Sequence, residues 1–140
     1  MSGTLISITN DDLRQVLETQ VISSAITLSA ADSGKLLSLN AAAGAQISLP
    51  AVASSAGLNF RFQVQALFAT TAWTIVAATA VIQGGAIVNS VNVASANRNT
   101  ITFAHAADTI GDFVQLNCDG VNWYVSGVGT TAGAITFTTV

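Results

Sequence analysis

Hydrophobic residues along this chain recur with two different periods. In residues 59–66, Phe60, Phe62, Val64 and Ala66 alternate with Asn59, Arg61, Gln63 and Gln65. That is the pattern of a strand with one face in a core and one toward solvent. A slip of one residue would put both phenylalanines in water, so the register is strongly specified. Similar runs occur at 22–28, 35–39, 45–49, 73–77, 100–104, 113–118, 122–126 and 134–138, with weaker ones around Val81 and over 87–93.

The first twenty residues read differently. Thr9 is placed to cap a helix, Asp12 falls at the third helical position as in a capping box, and Asp11 and Asp12 lie at the positive end of the dipole. Ile8 and Leu13 occupy staple positions, and Leu13, Val16 and Leu17 form a short apolar stripe. The expectation is a helix from Thr9 to about Gln20 within an N-terminal arm, residues 1–20, followed by a β domain over 21–140. So short a helix needs a surface to pack on, which makes Ile6, Ile8, Leu13, Val16 and Leu17 candidate partner contacts.

Turn residues punctuate the runs: Asp32-Ser33-Gly34, Ala43-Gly44, Pro50, Gly57, Gly84-Gly85, 108–111, Asp119-Gly120 and 127–129. Asp119-Gly120 between two alternating runs predicts a hairpin pairing 113–118 with 122–126. A weak echo, Ile26-Thr27-Leu28, Leu37-Ser38-Leu39 and Ile47-Ser48-Leu49, recurs at spacings of 11 and 10 residues. That spacing fits a sandwich, a barrel or a short stretch of β-helix. Because the echo stops at Ala51 and the later runs are longer, an all-β fold is expected, an antiparallel β-sandwich.

Composition narrows the function. Charged residues are 8% of the chain, against roughly 25% in an ordinary soluble domain. A lone monomer would expose mostly uncharged side chains, which hold molecules apart poorly, so self-association or docking is expected. With Arg14, Lys35, Arg61 and Arg98 as the only cationic side chains apart from His105, and a net charge of −3, no basic stripe for nucleic acid can form. The uncharged stretch 66–82 approaches the length of a membrane span, but its four threonines and the alternation of Trp73, Ile75 and Ala77 suit buried strands. The start lacks the basic and apolar regions of a signal peptide, and no Asn-x-Ser/Thr sequon occurs.

Chemistry-bearing residues are few. Any hydrolytic triad must pass through the single His105. His105, Asp108 and Asp112 are close in sequence, yet they read as a loop histidine with solvated aspartates, and Cys118 as a buried small hydrophobe. Asp11, Asp12, Asp32 and Asp119 each have a capping or turn role. Catalytic, metal and cofactor sites are therefore expected to be none. Trp73, Trp123 and Tyr124 are the side chains suited to a sugar platform, but alternation puts Trp123 with Val125 in the core and Tyr124 on the other face, at an edge or subunit contact.

Residues 31–40 (ADSGKLLSLN), 44–50 (GAQISLP), 57–62 (GLNFRF), 111–116 (GDFVQL) and 119–127 (DGVNWYVSG) together resemble β-rich modules of tailed-phage virion proteins, including capsid decoration (cement) proteins and parts of tail fibres. The resemblance runs in blocks through about residues 31–129 and rests on turn and strand patterns without reactive groups. It implies a β-sandwich or jelly-roll-like body, commonly trimeric, attached to a protein shell. Tail-fibre modules usually sit within long chains, so a short β protein is expected to decorate a capsid. The expected partners are the major capsid protein and two further copies of itself, with no nucleic acid and no membrane. The expected location is the capsid exterior, after assembly in the host cytoplasm. The competing expectation is a tail-fibre or baseplate adhesin that binds host glycan.

Overall fold

A computed structural model describes residues 17–140. The strands, in chain order, are β1 (Thr19–Ile22), β2 (Ile26–Thr27), β3 (Leu36–Leu39), β4 (Gln46–Ser48), β5 (Asn59–Val64), β6 (Trp73–Val76), β7 (Ile82–Val88), β8 (Val91–Arg98), β9 (Thr100–Phe103), β10 (Phe113–Cys118), β11 (Trp123–Gly129) and β12 (Ile135–Thr138). Single 3-10 turns at Ala30–Asp32 and Val52–Ser54 interrupt them. Two sheets form, a seven-stranded one ordered β1-β3-β5-β10-β11-β7-β8 and a five-stranded one ordered β12-β9-β6-β4-β2. The chain is thus the all-β sandwich that its period-two pattern predicts.

Within the sheets the pairing is mixed, in place of the antiparallel arrangement expected from the sequence. From β1 to β6 the chain alternates between the sheets, and each strand lies parallel to the one two steps earlier: β1 to β3 to β5, and β2 to β4 to β6. The echo at Ile26, Leu37 and Ile47 marks these rungs, since the three residues stand on β2, β3 and β4. The β-helix reading is therefore realised locally, inside a sandwich. Antiparallel pairs dominate the second half of the chain, although β11 runs parallel to β7.

The core lies between the sheets. Phe60, Phe62 and Val64 of β5, Trp73 and Ile75 of β6, Ile101 and Phe103 of β9, Val114 and Leu116 of β10, and Trp123 of β11 are fully buried. Phe60 and Trp123 stack with ring centroids 5.5 Å apart, and Phe68 meets Trp73 edge-on at 6.4 Å. Each such aromatic removes roughly 150–250 Å² from water, so these few rings carry much of the hydrophobic stabilisation. Among the described residues no helix is long and apolar enough to cross a membrane, and the stretch 66–82 supplies β6 and the start of β7.

Four local expectations need correction. Thr19 and Gln20 belong to β1, so the helix does not reach Gln20; the rest of that proposed helix and of the arm lies outside the described residues. The run 22–28 is broken by a bend between β1 and β2, which lets the chain cross from one sheet to the other. Gly84-Gly85 and 127–129 are not turns but lie inside β7 and β11. Gly84 has φ +110°, and a Cβ there would collide with the carbonyl oxygen of Val125. The glycine therefore permits the irregularity where β7 passes β8 and touches β11. Finally, the weak run 87–93 is a hairpin rather than one strand, turning at Asn89 and Ser90 with φ of 48° and 64°.

The two sides of the sandwich differ. On one side β8 and β12 are tied together: Asn99 N–H donates to the Thr138 carbonyl at 3.2 Å, and Thr139 Oγ1 donates to the Asn97 carbonyl at 3.3 Å. On the other, β1 and β2 end their sheets. Lys35 braces β1 there, its ammonium donating to Gln20 Oε1 at 3.2 Å and lying 3.6 Å from Asp32 and 3.8 Å from Glu18.

Candidate functional site

With the inward positions filled by apolar side chains, recognition falls to the outer faces and loops. Register and alternation fix the composition of the five-stranded sheet's outer face. One row across the strands consists of Gln46, Thr74, Thr102 and Thr136, and the next of Thr27, Ser48, Val76, Thr100 and Thr138. No charged side chain stands in either row. Their neighbours along each strand, Ile47, Ile75, Ile101 and Ile135, point inward and are fully buried. Thr100 is itself only 4% exposed, and Thr74, Thr102 and Thr136 are half-buried against one another. A shallow recess of about 290 Å³ on this face is lined by Gln46, Thr74, Val76, Asn99, Thr100 and the terminal Val140.

The seven-stranded sheet presents a different surface. One row runs through all seven strands as Val21, Ser38, Gln63, Phe113, Val128, Ile87 and Asn92. Phe113 is half-buried, with the Arg61 guanidinium 4.0 Å above its ring, so that face of the aromatic is already occupied. Toward the hairpin end a second row holds Asn59, Asn117, Tyr124 and Gln83. Gln83 continues it to Asn97 of β8, its Nε2 donating to Asn97 Oδ1 at 2.5 Å while Asn97 N–H donates to Gln83 Oε1 at 3.2 Å.

Tyr124 is 44% exposed, and its hydroxyl donates to Asp119 Oδ2 at 2.9 Å. Asp119 Oδ1 accepts from the backbone N–H groups of Asn122 at 2.7 Å and Val121 at 2.8 Å. These backbone donors, Asn122 first, hold the Asp119 carboxyl below its ordinary range, with the tyrosine hydroxyl adding to the effect. The predicted hairpin is present, pairing Phe113–Cys118 with Trp123–Val128, and the tyrosine stands over its turn.

Of the proposed contact residues, Tyr124 lies on the outer face, as alternation required, but on the interior strand β11 and not at a sheet edge, and Leu17 is 46% exposed just before β1. Ile6, Ile8, Leu13 and Val16 lie outside the described residues. Trp123 is buried, as alternation required, and so is Trp73, so neither indole is available as a sugar platform. Both indole N–H groups are buried and have no hydrogen-bond partner among the described residues. Cys118 is buried, its thiol contacting the Val52 carbonyl and accepting from Gly120 N–H.

His105 is exposed on the loop after β9, while the two aspartates nearby are structural. Asp108 Oδ2 accepts from Phe68 N–H at 2.7 Å. Asp112, expected from the sequence to be solvated, is instead 2% exposed. Its carboxylate accepts from Thr109 N–H at 3.1 Å and from both the N–H and the hydroxyl of Thr130 at 2.9 Å. It thereby ties the loop before β10 to the segment after β11. Among the described residues no group of three potential ligands is placed to hold a metal ion.

No protein-family model matches the chain, and no curated protein or solved structure matches it. Sequence reasoning singled out Tyr124 but missed both the amide row around it and the threonine face. The available signals were asparagines at outward strand positions 59 and 117, and the repeated Thr-x-Thr of 100–102 and 136–138.

Proposed function

We propose that this protein is a virion structural component that decorates and cements an icosahedral phage capsid, acting as a homotrimer that bridges major capsid protein subunits. The observation that carries the reading is the outer face of the five-stranded sheet, whose rows hold no charged side chain. A solvated sheet face ordinarily carries lysine, glutamate or arginine, which keep copies apart. A β-branched, uncharged face instead avoids the large cost of desolvating ions, gains dispersion contact when another protein covers it, and can pair its hydroxyls across the contact. The recess beside Val140 gives such a partner a place to insert a side chain. The phage-module resemblance of residues 31–129 supports the same reading, as does the 8% charge content of the chain.

A cement protein works through repetition, each copy adding a modest contact that a shell multiplies. The effect is resistance of the particle to heat and internal pressure, with no turnover. The test is light scattering of the purified chain together with heat challenge of capsids with and without it. A trimer that binds capsids and raises their disruption temperature is expected. A monomer at high concentration that leaves capsids unchanged would sink the proposal.

A further inference from the structure

The row Asn59, Asn117, Tyr124, Gln83 and Asn97 draws one side chain from each of five adjacent strands of the seven-stranded sheet, on a face separate from the threonine surface. Asparagine is among the residues least favoured in strands, yet three of these five positions hold it. The fold gains no hydrogen bond from two of them: among the described residues, neither the Asn59 nor the Asn117 side chain has a partner. A local preference overridden without a structural return marks positions kept for another purpose.

The rest of the row is held rigid. Gln83 and Asn97 are locked to each other by two hydrogen bonds. The Tyr124 hydroxyl is fixed on Asp119, so the ring keeps one orientation while its surface remains 44% exposed. A preorganised aromatic surface beside free amides, each offering a donor and an acceptor, complements a molecule with an apolar C–H face rimmed by hydroxyl groups. A pyranose ring has that character.

We propose that this row is a binding site for neutral glycans, with a pyranose stacked on Tyr124 and its hydroxyl groups taken by the amides of Asn117 and Asn59. Five strands span about 19 Å at the usual inter-strand spacing, which accommodates an oligosaccharide of several units. Neutrality follows from the surroundings: the fixed charge in contact with the tyrosine is the Asp119 carboxylate, which repels sialylated or phosphorylated ligands. Among the described residues neither nearby arginine pairs with that carboxylate: Arg61 is stacked on Phe113, and Arg98 lies beyond Asn97 at the sheet edge. The site does not depend on the capsid reading, since it occupies the other sheet.

The test is saturation-transfer NMR of the full chain with methyl α-mannoside, methyl β-galactoside and maltohexaose, and with sialyllactose as the charged comparison. Transfer to ring C–H protons of at least one neutral probe is expected, with amide shift changes centred on Asn117, Tyr124 and Gln83. Tyr124→Ala should weaken binding about tenfold, the loss expected for one aromatic contact, and Asn117→Ala should weaken it measurably. Tyr124→Phe, which keeps the ring, should bind within about threefold of the parent. Because Tyr124 points outward, a backbone amide spectrum retaining the parent dispersion verifies that each variant is folded. No transfer from any neutral probe, undiminished binding by a folded Tyr124→Ala, shift changes confined elsewhere, or equal binding of sialyllactose would each overturn the proposal.

Discussion

At the scale of single residues, two of the acidic side chains contrast, Asp112 as a buried tie and Asp119 in an exposed turn. Asp112 satisfies two backbone donors and a hydroxyl in a nearly dry site. Replacing it with alanine leaves Thr109 and Thr130 N–H groups without their acceptor, and each such loss costs roughly 1–3 kcal/mol. Asp112→Ala should therefore lower the unfolding free energy by about 2–4 kcal/mol, read as a reduced urea midpoint. Asp119 behaves differently because it is fully exposed. Its carboxyl titrates lower in the folded chain than its ordinary value of 3.8, so the unfolded chain binds the proton first. The stabilisation is accordingly complete above that value and is lost as pH falls through the folded one. Tyr124 fluorescence and hairpin amide shifts should stay constant from neutral pH to about pH 5 and then titrate with a midpoint below 3.8. In Asp119→Asn, acid titration of those same signals should vanish.

At the scale of elements, the strands with clean alternation were legible because their inward residues bury apolar area that nothing else can replace. Asn59–Val64, Phe113–Cys118 and the Asp119-Gly120 hairpin are examples. What alternation does not encode is the direction of a neighbour. Leu37 and Leu39 point inward whether β3 lies parallel or antiparallel to β5, so the parallel rungs left only the faint echo at Ile26, Leu37 and Ile47. The glycines misled for a related reason. Gly84 and Gly127 look like punctuation, but each sits in a strand where a neighbouring backbone carbonyl, that of Val125 or of Phe113, approaches too closely to admit a side-chain carbon. Close approach is a tertiary fact with the same local signature as a turn. Gly84→Ala should therefore destabilise by at least about 1 kcal/mol, from the positive φ and the collision with Val125 combined. Gly34→Ala shares the positive φ but has open space around its Cβ, so thermal unfolding of the two variants should rank Gly84→Ala as the less stable. The candidate glycan row was half legible: Tyr124 stood out and the Asp119-Gly120 hairpin sets Asn117 of β10 beside it, whereas its partners on β5, β7 and β8 come from strands whose lateral order no local pattern reveals.

At the scale of the whole molecule, the two outer faces separate two kinds of contact, and substitution can tell them apart. Thr102 lies near the middle of the five-stranded sheet, between Thr74 and Thr136, half-buried by them and remote from the core on the far side of Ile101 and Phe103. A lysine there can extend its stem over the sheet and keep its ammonium in water, so the isolated subunit should lose no more than about 1 kcal/mol. If the face is covered in the assembly, the same ammonium must be desolvated, and neither row supplies a side-chain carboxylate to pair with it. The contact should then fail. Gln115→Lys supplies the comparison: Gln115 faces outward on the seven-stranded sheet, opposite Arg61 and Ser126, and adds the same unit of charge. Under the cement reading, Thr102→Lys abolishes trimer formation and capsid binding in light scattering and co-sedimentation, while Gln115→Lys retains both. Glycan binding should follow the opposite geography, surviving Thr102→Lys and falling in Tyr124→Ala. Equal loss of assembly in the two lysine variants would point to net charge as the cause, and equal retention would move the contact away from the threonine face.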